Sequence, residues 1–154
     1  MKPFLFFFLN CFILSLPAVG LPKNPPTDLE ILFYKPQGMS GRGFRLIMNQ
    51  SIFTLEEKEF SSVKTFSDTM DPNLWIELYE SLKANQIQRI RLESGFLHDY
   101  DSYSIQLRWN EGKNSISVVQ SGQKVRRSDS KNYENIVTDF LKVKESLGTR
   151  INAP

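Results

Sequence analysis

The chain has a single histidine, His98, in the run Leu97-His98-Asp99-Tyr100-Asp101-Ser102-Tyr103. A histidine beside carboxylates has the composition of a general base with an acidic orienter. His98, Asp99 and Asp101 are therefore the candidate catalytic residues of a small hydrolase-like enzyme. Neighbours in sequence do not by that fact meet in space, and no motif marks a nucleophile. The competing reading is a solvated loop histidine. Asp99 and Asp101 also resemble the opening of a calcium loop. An EF-hand counted from Asp99 needs glycine at its sixth position and glutamate at its twelfth. This chain has Ser104 and Asn110 there. A turn with Asx hydrogen bonds is the simpler reading, and no metal or cofactor is expected.

Two further runs could bind anions. Gly38-Met39-Ser40-Gly41-Arg42-Gly43 has the glycine content of a phosphate cradle. It lacks the Gly-Lys-Ser/Thr ending, and it joins two expected strands with no helix start to face an anion. It reads as a hairpin loop. Lys124, Arg126, Arg127 and Lys131 form a basic cluster. Arg126, Arg127 and Lys131 are the candidate binding residues, suited to an acidic surface such as anionic lipid or glycan. The alternative is an ordinary solvated loop. Tyr34, Phe44, Phe53, Trp75 and Trp109 fall on strand or helix faces and read as core.

The N-terminal segment bears on where these residues work. Lys2 precedes the mostly apolar run Phe4–Leu16, and Pro17-Ala18-Val19-Gly20 places small residues before Leu21. This is the layout of a secretory signal peptide over residues 1–20. The run is short for a membrane span, so no transmembrane segment is expected in the mature chain. Cys11, the only cysteine, would carry lipid if a lipobox were read at Phe8-Leu9-Asn10-Cys11. Asn10 is a poor residue before such a cut, so lipoprotein processing is disfavoured. The expected location is periplasmic, secreted or cell-surface.

Removing 20 of the 154 residues leaves 134, enough for one domain with a real core. The chain has 19 Lys and Arg against 17 Asp and Glu; losing Lys2 leaves 18 against 17, about +1. Such balance argues against a dedicated nucleic-acid binder, which needs a basic excess to release counterions. With no cysteine after Cys11, the mature chain uses neither disulfides nor thiol chemistry.

Residues 21–27 contain three prolines and read as an extended tether. A single α+β domain is expected over 28–148. Leu29, Ile31 and Phe33 alternate with Glu30, Leu32 and Tyr34, and Phe44, Leu46 and Met48 with Arg45, Ile47 and Asn49, which suggests antiparallel strands. Ile52–Phe60 and Val63–Phe66 read as two more. Asp71-Pro72 starts a helix, carried by Trp75, Leu78, Tyr79 and Leu82 and ending near Asn85. Ile87–Leu92 reads as a short strand and Glu93–Ser102 as a loop. Tyr103–Trp109 and Ile116–Val119 flank the turn Asn110–Asn114. Residues 121–131 read as polar connection. A second helix carries Tyr133, Ile136, Val137, Phe140, Leu141 and Leu147, with Gly148 as its stop and residues 149–154 frayed. The fold class is thus α+β, a mostly antiparallel sheet of five to seven strands with two amphipathic helices on one face.

This layout resembles small exported bacterial domains of unknown function. The resemblance rests on Ile31-Leu32-Phe33-Tyr34, Gly38-Met39, Arg45-Leu46-Ile47, the capped helix with Trp75 and Leu78, and Ile105-Gln106-Leu107. It implies no activity and no catalytic residue. Three functions stay open. One is a non-enzymatic interaction domain binding an unknown protein or envelope component. Another is a small envelope enzyme using His98–Asp101. The third is a structural envelope protein, marked by an apolar patch or self-association. The sequence leaves the oligomeric state open.

Overall fold

Strict alternation from Leu29 to Phe33 puts every second side chain on one face of a strand, and burial follows it: Leu29, Ile31 and Phe33 are fully buried. The computed structural model describes residues 20–37, 41–94, 103–118 and 123–151. In chain order the elements are β1 (Glu30–Lys35), β2 (Arg42–Met48), β3 (Ile52–Glu59), β4 (Ser62–Thr69) and α1 (Pro72–Ala84). A 3-10 turn (Ile87–Arg89), β5 (Leu92–Ser94), β6 (Ser104–Trp109), β7 (Asn114–Val118), β8 (Gln123–Val125) and α2 (Ser130–Ile151) follow.

Six strands form one sheet in the order β4-β3-β2-β1-β6-β7, and β5 with β8 forms a second, two-stranded sheet. Every pairing is antiparallel. The register aligns the apolar positions into rows. Leu55, Leu46, Phe33, Ile105 and Val118 lie side by side across five strands. Phe53, Met48, Ile31 and Leu107 form a neighbouring row.

Both helices lay their apolar stripes on this face, with Trp75, Leu78, Tyr79 and Leu82 from α1 and Ile136, Phe140, Val143 and Leu147 from α2. Phe33 is the hub: it stacks on Phe140 at 4.7 Å and on Tyr103 at 5.3 Å between ring centroids. Ser81 Oγ donates to Asp139 at 2.6 Å and ties the helices together. The expected α+β architecture is observed, with two helices and a large antiparallel sheet of six strands beside a small one of two.

The start of α1 follows its sequence. Asp71 accepts from the N–H groups of Asn73 and Leu74, and Pro72 opens the helix. Several local expectations are corrected. The stretch expected as a strand over Ile87–Leu92 opens instead as the 3-10 turn, because Gln86 takes a left-handed φ of 50° and redirects the chain. Strand structure begins only at Leu92 and pairs with β8, inside the stretch read as polar connection. Gly148 does not stop α2, which continues to Ile151 through the residues expected to fray. Residues 152–154 lie outside the described residues.

The segment read as a tether is docked. Tyr79 Oη donates to the carbonyls of Pro22 at 2.7 Å and Asn24 at 3.2 Å, and Lys83 Nζ donates to that of Lys23 at 2.9 Å. Leu21 packs against the core. Proline removes N–H donors but leaves carbonyls, and those carbonyls are what α1 captures.

A candidate anion-facing groove at the start of the second helix

Only some of the residues suspected of chemistry fall among those the structure describes. His98, Asp99 and Asp101 lie outside the described residues, in the connection from β5 to β6. Of the glycine-rich run, residues 38–40 also lie outside them, whereas Gly41 to Gly43 lead directly into β2. Gly41 sits against the Phe60 ring, where an added Cβ would come within 2.7 Å of that ring. Arg42 is held by Glu59 at 2.7 Å. These two contacts pack the start of β2 against the end of β3 and the turn after it. Phe53, Trp75 and Trp109 are buried, while Tyr34 and Phe44 are only partly so.

The basic cluster acquires a setting. Arg126 N–H donates to Arg91 O at 3.0 Å, which extends the β5–β8 ladder by one step. The chain then turns, with Asp129 N–H donating to Arg126 O at 2.8 Å and Ser130 Oγ to Arg127 O at 2.9 Å. Helix α2 starts there, and Tyr133 N–H reaches back to Asp129 O at 3.1 Å.

Asp129 stands where a carboxylate usually caps the helix, yet its side chain is committed elsewhere. Arg91 donates to it from its backbone N–H at 2.9 Å, from Nε at 3.0 Å and from Nη2 at 3.1 Å. Ser128 Oγ adds a bond at 2.9 Å. The Arg91 side-chain hydrogen bond, followed by that from its backbone, holds the Asp129 carboxyl well below the usual carboxylate range. The same pairing raises the Arg91 guanidinium.

Around this pair runs an open groove of about 500 Å³, lined by Gln86, Gln88, Arg89, Ile90, Arg91, Asp129 and Asn132. Arg126, Arg127 and Lys131, close in the chain to the lining residues Asp129 and Asn132, are exposed and make no ion pair among the described residues. The Arg89 guanidinium donates only to the neutral Gln86 side chain, at 3.1 Å. Lys124, counted in the cluster by sequence, is instead neutralised by Glu93 at 3.0 Å. The first N–H groups of α2 have no acceptor within the helix and add partial positive charge at the same place. The arrangement can hold an anion by charge and N–H donation.

Sequence reasoning missed Arg89 and Arg91, and with them the groove. The Arg91–Asp129 bond spans 38 residues and joins a segment that read as a short strand to one that read as polar connection. The signal that could have found it is the Asp129-Ser130 start of α2 placed close behind the basic run. No group of three or more His, Cys, Asp or Glu suited to a metal occurs among the described residues. No helix among them is long and apolar enough to cross a membrane. Comparison with protein-family models, curated proteins and solved structures finds no match for this chain.

Proposed function

We propose that this chain is an exported, non-catalytic interaction domain that docks on an anionic component of the cell envelope through the groove at the start of α2. One observation carries the reading. Arg89 lines the groove, Arg126, Arg127 and Lys131 stand close in the chain to its lining residues Asp129 and Asn132, none of the four makes an ion pair among the described residues, and the groove's acid, Asp129, is already committed to Arg91. The groove therefore has a net positive face on a chain that is otherwise nearly neutral. The same commitment makes Asp129 a poor proton acceptor, which favours binding over acid–base chemistry. Export rests on the N-terminal layout of Lys2, Phe4–Leu16 and Ala18-Val19-Gly20.

The test is retention on anionic phosphatidylglycerol vesicles and, in parallel, on an immobilised acidic polysaccharide, each against a neutral control. A basic residue near an anionic surface contributes about 1 kcal/mol. Removing the charges of Arg126, Arg127 and Lys131 together should weaken binding by about 3 kcal/mol, roughly a hundredfold. Binding should also fall as salt shortens the screening length. Retention on neither matrix, or retention indifferent to the triple substitution, refutes the proposal.

A further inference from the structure

The edge strand β4 differs from the rest of the sheet. Seven of its eight residues are exposed, and only Phe66 is partly covered. Of the four large apolar residues that are conspicuously exposed among the described residues, three lie on the β3–β4 hairpin: Ile52 (51%), Phe60 (71%) and Val63 (56%). An exposed eight-residue edge is a template for another strand, and natural edges are usually blocked by charge. Here the charges are arranged so that the strand complements itself.

We propose that a second copy of this chain docks along β4, antiparallel and two-fold symmetric, with Phe66 facing its own counterpart. The allowed register follows from the ladder. Phe60 N–H donates toward β2, to Gly41 O, and Met70 N–H donates to Ser51 O. With Glu59 opposite Ser62 and Leu55 opposite Phe66, alternation makes Ser62, Lys64, Phe66 and Asp68 the residues that bond β3. Val63, Thr65, Ser67 and Thr69 then direct their N–H and C=O groups outward.

A symmetric partner centred on Phe66 pairs Thr65 with Ser67 and Val63 with Thr69. These are outward-bonding residues on both strands, so every edge group in the overlap finds a partner. Lys64 then falls opposite Asp68, twice by symmetry, in the non-hydrogen-bonded positions where side chains approach most closely. Neither charge is otherwise engaged by an ion pair: Asp68 accepts only from the Thr69 N–H, and Lys64 has no partner among the described residues.

Packing agrees with this register. The core row through Phe33, Leu46 and Leu55 ends at Phe66, so the pairing continues the row into the second subunit. Both copies present the same face on the same side, and β4 is exposed along its length except at Phe66. An isologous contact of this kind closes on itself as a dimer.

The experiment is sedimentation equilibrium on the chain purified after expression with its own N-terminal segment. Wild type should be dimeric. Lys64→Asp places Asp opposite Asp68, and Asp68→Lys places Lys opposite Lys64. Each should raise the dimer dissociation constant about tenfold or more, since two like-charge pairs replace two opposite ones. An equimolar mixture of the two variants should dimerise again, as should the double variant. Thr65→Pro removes an outward N–H while leaving the β3 ladder intact, and should also give monomers. Matching circular dichroism spectra establish that each variant is folded. A wild-type monomer at every concentration overturns the proposal. So does a dimer that ignores these substitutions, or a loss in the single variants without rescue in the mixture.

Discussion

Replacing Trp75 tests whether α1 is held to the sheet as described. Its side chain is only 2% exposed and belongs to the core beside Leu78, Tyr79 and Leu82. A buried indole removes about 200 Å² from water. At about 25 cal/mol per Å² that corresponds to about 5 kcal/mol, an upper bound because the unfolded chain is partly compact. Trp75→Ala should therefore cost about 3–5 kcal/mol, with the cavity included. That is a large share of the 5–15 kcal/mol, roughly, that keeps a domain folded. Trp75 carries a second, opposing term. Its Nε1 is buried with no hydrogen-bond partner among the described residues, and an orphaned donor costs about 1–3 kcal/mol. Trp75→Phe removes that penalty while keeping a ring in the core, so it should cost less than about 2 kcal/mol. Asp71→Ala, which deletes only the helix cap, should cost about 1 kcal/mol. Urea unfolding followed by far-UV circular dichroism measures all three, and an unchanged m-value validates the comparison. A neutral Trp75→Ala would mean an exposed indole and a wrongly placed α1. Equal costs for the Ala and Phe variants would remove the argument about the orphaned N–H.

Three other outcomes follow from particular contacts. Tyr79→Phe removes the hydroxyl that holds Pro22 and Asn24; it should cost about 1 kcal/mol and speed proteolytic nicking within residues 21–27, read by mass spectrometry. Burial raises the Tyr133 phenol far above its usual value of 10, and its 2.6 Å bond to Tyr103 O is one that only the protonated hydroxyl can donate. The folded state thus favours the protonated form, so stability is full below pH 10 and falls as pH rises beyond it. In alkaline titrations Tyr133→Phe should flatten that decline, and an unchanged slope would contradict the assignment. Finally, N-terminal sequencing of exported chain should begin at Leu21, whereas lipid on Cys11 would refute the processing read from Ala18-Val19-Gly20.

The sequence by itself determined the elements whose apolar residues recur at a fixed period. Leu29-Ile31-Phe33, Ile105-Leu107-Trp109 and Trp75-Leu78-Tyr79-Leu82 announce their own geometry, because a period of two or of three to four residues buries one face only in a strand or a helix. The Asp71-Pro72 start was legible for the same local reason: cap and helix are neighbours in the chain. The expectation of export is equally local, since it rests on the order of charged, apolar and small residues before Leu21.

Tertiary structure decided the rest. The paired strands β5 and β8 are three residues each and show no period, so each exists as a strand only because the other lies beside it. The proline-rich segment 21–27 reads as a tether until Tyr79, more than 50 residues away, reaches its carbonyls. Gly148 reads as a stop, yet α2 runs on to Ile151. The groove needed Arg89 and Arg91 from one irregular segment and Asp129 from another. Local periodicity is a property of one stretch of chain. An ion pair, a docked carbonyl or a cation cluster depends on which distant stretches the packed core brings together.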